Sequence, residues 1–241
     1  YEAIEQIRWA RDRGLKVYAE TCPQYLFLTA DDMDKPGLEG AKHMCSPPPR
    51  DKANQEIVWQ ALKDGVFEVV SSDHAPYRFD HPEGKLKAGP DPHFKQIANG
   101  VPGLEVRMPL LYSEGVGKGR LSLQEFVALT ATNAAKLYGL HPRKGDIAVG
   151  ADADLVIWDT ERNVIISQSL MHDNMDYTPY EGIEVTGWPE TTLSRGRVVW
   201  NDGEFSAEPG SGVFYKCDEP PALSAPARPV TPFDPIEGRL R

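Results

Sequence analysis

Apolar residues recur at helical spacing over residues 2–12, where Ile4, Ile7 and Ala10 share a face, and Gly14 stops the pattern. Leu15-Lys16-Val17-Tyr18-Ala19-Glu20 then alternates apolar with polar positions and predicts a strand. A second helix is predicted over 51–64, with Ile57, Val58, Ala61 and Leu62 as its buried stripe, and Gly65 ends it. The apolar run Val66-Phe67-Glu68-Val69-Val70 reads as a buried strand. Helix, strand, helix, strand in that order implies parallel strands with helices outside, and two such units are only part of a closed barrel. Residues 77–104 are rich in Gly, Pro, His and charge and predict a long loop, which in a compact domain usually serves function. Helical patterning returns over 104–114 and 122–138, with Leu123, Phe126, Leu129, Ala134 and Ala135 on one face and Gly139 as the stop. Beyond it the class changes. Short strands are predicted at 153–158, 164–166 and 197–200 between Gly, Asn and Asp turns, which makes a small β unit. The stretch after Tyr215 is dense in Pro and Ala and reads as a tail that wraps a neighbour or stays free.

Composition narrows the class. An apolar share of 40% over 241 residues supports a real core, and a formal charge of −10 argues against nucleic acid or an anionic membrane as partner. No apolar run approaches the roughly 18 residues of a membrane span, and the opening residues Tyr1-Glu2-Ala3-Ile4 have no signal-peptide pattern. Cys22, Cys45 and Cys217 form no CxxC and cannot all pair, so a cytoplasmic location is expected. Tyr1 already stands at the edge of an amphipathic helix, and the chain is expected to begin in mid-fold.

The candidate chemistry lies in Ser71-Ser72-Asp73-His74-Ala75-Pro76-Tyr77, directly after the buried-strand run. In a parallel α/β barrel the interior is packed, and reactive groups sit at the C-terminal strand ends. Asp73 is the first candidate. The competing structural use of the same residue is an Asx turn ahead of Pro76.

Four stretches in order carry a resemblance: Ala19-Glu20-Thr21-Cys22-Pro23-Gln24-Tyr25-Leu26, Met44-Cys45-Ser46-Pro47-Pro48, Asp73-His74-Ala75-Pro76-Tyr77 and Asn99-Gly100-Val101-Pro102-Gly103-Leu104-Glu105. Together they resemble the hydantoinases and dihydropyrimidinases of the amidohydrolase superfamily. The runs Thr132 to Leu140 and Lys144 to Leu155 are similar to that superfamily's return from barrel to β-sandwich, and Asp176 to Gly182 is similar to a bacterial hydantoinase run. Gln24-Tyr25, where dihydroorotases and allantoinases usually carry a histidine pair, favours the hydantoinase side.

The resemblance implies an α/β fold: the C-terminal part of a TIM-like (β/α)8 metal-dependent hydrolase barrel over 1–140, a β-sandwich portion over 141–215, and a Pro-rich tail over 216–241. It implies hydrolysis of the cyclic amide of hydantoins or dihydropyrimidines to N-carbamoyl amino acids. Two divalent metal ions, zinc foremost, would be held with Asp73 as one ligand, and Asp73 would also serve as base and then acid. Ser46 and Asn99 are implied as contacts to the ring's imide edge, largely through backbone groups. His74 is expected to brace its loop, and Cys22 and Cys45 to be buried fillers. The sequence holds no His-x-His, no segment for a carboxylated lysine and none of the other histidine ligands, so the chain alone is expected to be inactive. A homotetramer is implied for the complete enzyme, with small cyclic amides as substrates. A non-catalytic dihydropyrimidinase-like scaffold and an allantoinase are the alternative readings.

Overall fold

A computed structural model describes residues 1–219 together with the short strands Phe233–Asp234 and Arg239–Leu240. Most of the expected tail therefore lies outside the described residues. Helix α1, Glu2–Asp12, buries Ile4 and Ala10, and carries acidic residues in its first turn and Arg11 in its last, the signs the helix dipole favours. Strand β1 is Glu20–Thr21 alone, much shorter than the alternation from Leu15 predicted. Side chains occupy the backbone groups that a longer strand would have used. Arg11 Nε donates to Val17 O at 2.9 Å, and Ala19 N donates to Glu68 Oε2 at 2.7 Å.

Two short helices, α2 (Pro23–Phe27) and α3 (Ala30–Met33), lead to α4, Lys52–Lys63. Asp51 caps α4 by accepting from Asn54 N. Its buried face is Trp59, Ala61 and Leu62; Ile57, expected in the stripe, is 36% exposed. Trp59 takes that place because its ring packs edge-on against Phe27, with centroids 6.1 Å apart. Strand β2, Val69–Val70, pairs in parallel with β1, Glu20 opposite Val69 and Thr21 opposite Val70. A third parallel contact, the bridge between His74 and Val101, continues this arrangement past the end of β2.

The long loop over 77–104 holds one 3₁₀ turn, Phe94–Gln96. Helix α5, Arg107–Leu111, widens into a π segment over Tyr112–Gly117. Ser122 opens the next helix with a capping box to Glu125, and α6 (Leu123–Val127) runs through a second π segment, Ala128–Thr132, into α7 (Asn133–Leu137). Phe126, Leu129 and Ala135 are buried as expected, but Leu123 is 54% exposed. As the first helical residue after the cap, it points away from the core that Phe126 enters.

The last part is an antiparallel sheet, β3 (Leu155–Ile165), β4 (Glu184–Ser194), β5 (Arg197–Asn201) and β6 (Glu204–Phe205), in that spatial order. The predicted strands at 153–158 and 164–166 are one bulged strand, β3. Strand β4 was not predicted, because Gly187 and Pro189 break its alternation. Gly187 is required here: φ is +96°, and a Cβ would stand 2.3 Å from the Tyr112 ring. One apolar cluster joins α1, α4, β2 and the 107–132 helices. Another joins Leu28, Val106 and Leu110 to Ile166, Tyr180 and Val185, so the sheet and the helical part share a core.

Candidate functional site

Val69 and Val70 are buried on both faces, as a strand between packed layers must be, and the chain emerges from them into exposed Asp73. Asp73 has φ of +45°, the left-handed region that Asp and Asn visit more readily than other non-glycine residues. A residue held there at a strand end is over-determined by its surroundings. The strand end itself is anchored by Arg107, whose guanidinium donates to Val70 O.

His74, next along, accepts from Gly103 N at 3.2 Å and Leu104 N at 3.3 Å through Nδ1. It braces the 98–104 segment against the Asp73 turn, as the sequence suggested. Ala75 N donates to Val101 O at 3.2 Å and fixes the same two segments again. On its other side the 98–104 segment meets the Met44 segment, where Gly100 N donates to Met44 O at 3.0 Å. Backbone bonds thus bring together the three segments that carry Asp73, Asn99 and Ser46, all three of which are exposed.

Gln24 was noticed in the sequence only as a family marker, yet it is the side chain that touches Asp73. Its Nε2 donates to Asp73 Oδ2 at 3.3 Å, while the residue is 0% exposed and its Oε1 is buried without a partner. No spacing rule signals such a contact, because α2 and β2 meet only in the folded chain. Cys22 and Cys45 are buried, and burial pushes each thiol up to about 11. Neither is poised as a thiolate nucleophile at neutral pH.

Asp176 closes the entrance to the long loop. Its two carboxylate oxygens accept from Phe79 N and Asp80 N, both at 2.8 Å. Burial pushes its carboxyl up, but the neighbouring Asp80 carboxyl, which can donate only when protonated, and the two backbone N–H groups outweigh this and hold it below the ordinary carboxylate range. A depressed folded-state pKa contributes stability that is complete above the unfolded value, near pH 4, and is lost as pH falls through the folded value. Asp176→Asn is therefore expected to flatten the acid limb of the stability profile below about pH 4 and to raise amide exchange at Phe79 and Asp80. An unchanged acid limb would remove Asp176 from this role.

A cavity of about 770 Å³ lies elsewhere, against the sheet between Glu105, His172, Trp188 and Trp200. It does not include Asp73. Among the described residues no group of three or more His, Cys, Asp or Glu side chains converges to hold a metal ion. No helix among them is long and apolar enough to cross a membrane.

Residues 2–199 match the model of the amidohydrolase family. The chain is 47% identical to a D-hydantoinase of Rhizobium radiobacter over 215 residues, covering 89% of this chain and 46% of that protein. It is 46% identical to a D-hydantoinase of Geobacillus stearothermophilus over 224 residues, covering 93% and 47%. A solved D-hydantoinase structure superposes with a TM-score of 0.86 at 46% identity, covering 90% of this chain and 46% of that one. An L-hydantoinase (dihydropyrimidinase) from Arthrobacter aurescens superposes at 0.75 with 34% identity, over 86% and 44%. The chain thus spans about half the length of the relatives it matches.

Proposed function

Because the chain belongs to the amidohydrolase family, on its D-hydantoinase and dihydropyrimidinase branch, we propose that it serves hydrolysis of the cyclic amide bond of hydantoins or dihydropyrimidines. The observation that carries this reading is Asp73, exposed at the end of a buried strand and backed by Gln24, in a chain this close to D-hydantoinases. We propose 1–140 as the C-terminal part of a barrel, 141–215 as a β-sandwich portion and 216–241 as a tail, with a homotetramer as the complete assembly.

This chain does not by itself fit the two divalent ions that the resemblance implied. Asp73 is one donor, and a catalytic metal site needs about three from protein. Those ions, zinc foremost, need donors these residues do not supply. The chemistry this chain contributes is that of Asp73 and the peptide groups around it. The Asp73 carboxylate takes a proton from the attacking water as the new C–O bond forms. It returns that proton to the ring nitrogen as the C–N bond breaks, which opens the ring to an N-carbamoyl amino acid. Ser46 and Asn99 align the imide edge, whose alternating N–H and C=O groups suit a rigid line of backbone acceptors and donors.

The chain alone is expected to be inactive and to retain no stoichiometric zinc. With the remaining donors supplied, hydantoin and dihydrouracil are expected to turn over at least about tenfold faster than allantoin, a margin one set of pocket contacts can provide. A turnover panel with metal analysis reads this directly. Preference for allantoin would move the assignment to that enzyme class, and a metal-free, inactive complete protein would favour a scaffold.

A further inference from the structure

Lys85 is the one fully buried charged side chain among the described residues, at 0% exposed, and no ion pair among them includes it. Its ammonium donates to two peptide carbonyls, Met44 O at 2.8 Å and Ala98 O at 3.0 Å. Its own backbone N–H donates to Arg78 O at 2.8 Å, which closes the 78–85 turn and fixes the lysine's base. An uncompensated buried ammonium is costly, and burial pushes its pKa down to about 8. At neutral pH it still carries its charge, so both carbonyls face a cation from the protein side.

We infer that Lys85 is a positioning residue that clamps the Ser46 and Asn99 segments together and orients their peptide groups toward the ring edge, an inference resting on the cyclic-amidase reading. Met44 O accepts from both Lys85 and Gly100 N, so a single carbonyl joins the two segments. The Ala98 carbonyl belongs to the same peptide group as the Asn99 N–H. A cation on that oxygen polarises the peptide and strengthens the N–H as a donor. Lys85 touches neither the proposed substrate atoms nor Asp73; it acts through the backbone it holds.

Lys85→Met keeps length and apolar bulk but removes every donor, and Lys85→Gln shortens the chain while keeping an N–H. In hydrogen exchange on the protein, Lys85→Met is expected to lower Gly100 amide protection about tenfold. Ser71 N, bonded to Thr21 O in the β1–β2 ladder, is expected to stay unchanged. In the active, donor-complete enzyme the same variant is expected to raise KM for hydantoin about tenfold with kcat little changed, as lost uniform binding requires. Lys85→Gln is expected to fall between the two. Unchanged Gly100 exchange, equal loosening of Gly100 and Ser71, or a fall in kcat at constant KM overturns the inference. If the complete enzyme opens no cyclic amide while Gly100 alone loosens, the cyclic-amidase reading fails and the clamp stands.

Discussion

Asp73→Asn, in the donor-complete enzyme, is expected to lower kcat for hydantoin opening by about 10²–10⁴-fold, the range a positioned proton carrier supplies. The melting temperature should move by only about 1–2 °C. The two expectations separate because Asn, like Asp, tolerates the left-handed backbone that Asp73 adopts at φ of +45°. An amide oxygen also still accepts from Gln24 Nε2, so the contact at 3.3 Å has a counterpart in the variant. What disappears is the capacity to take a proton. Asp73→Ala loses activity too, but it adds a left-handed penalty of roughly 1 kcal/mol and leaves a second buried Gln24 atom unpartnered, which confounds its reading. If Asp73→Asn retains more than about a tenth of wild-type kcat, a loss well below the roughly 10²-fold that such a carrier typically supplies, Asp73 is not the base.

Much of this site was legible because a short peptide states its own geometry. An apolar run followed by Ser-Ser-Asp-His-Ala-Pro can hardly be other than a strand running into a turn, and the structure has Asp73 there. Helix α4 was legible at both ends, since Asp51 and Gly65 punctuate it, whereas its buried face was misjudged at one position. Periodicity records which residues are apolar, but partner rings decide which are covered, and Phe27 selects Trp59 over Ile57. Strand β1 was overcalled because alternation cannot register that Arg11 and Glu68 had already claimed the neighbouring peptide groups. Strand β4 was missed for the converse reason. Its Gly187 looks like a breaker in sequence and is, in the fold, the gap that admits Tyr112. Lys85 carried no sequence signal, and Gln24 carried only that of a family marker. A lysine in a charged, Gly-rich loop reads as solvated, and only the fold reveals that its ammonium is enclosed by two carbonyls.

Gly100→Ala is expected to cost far more stability than the same change at Gly103, the other glycine of the 98–104 segment. Gly100 has φ of +138°, a region essentially closed to L residues, and a Cβ there would stand 2.5 Å from Ala75 O and 2.7 Å from Ala75 Cβ. Neither neighbour can swing aside as a long side chain would. Ala75 is tied down by its own N–H bond to Val101 O, so relief requires parting the two segments that flank Asp73. Combined backbone strain and lost bonds are expected to cost about 2–4 kcal/mol. In a chain of this size that lowers the melting temperature by roughly 5–15 °C. Gly119→Ala is the matching control. Its φ is +69°, with nothing within 4 Å of the added methyl, so it incurs only the left-handed penalty of about 1 kcal/mol. The difference between the two variants isolates the close approach of the 98–104 segment to the Asp73 turn. If both melt alike, that approach contributes nothing, and the backbone framework that brings Asn99 to Asp73 must be held by other contacts.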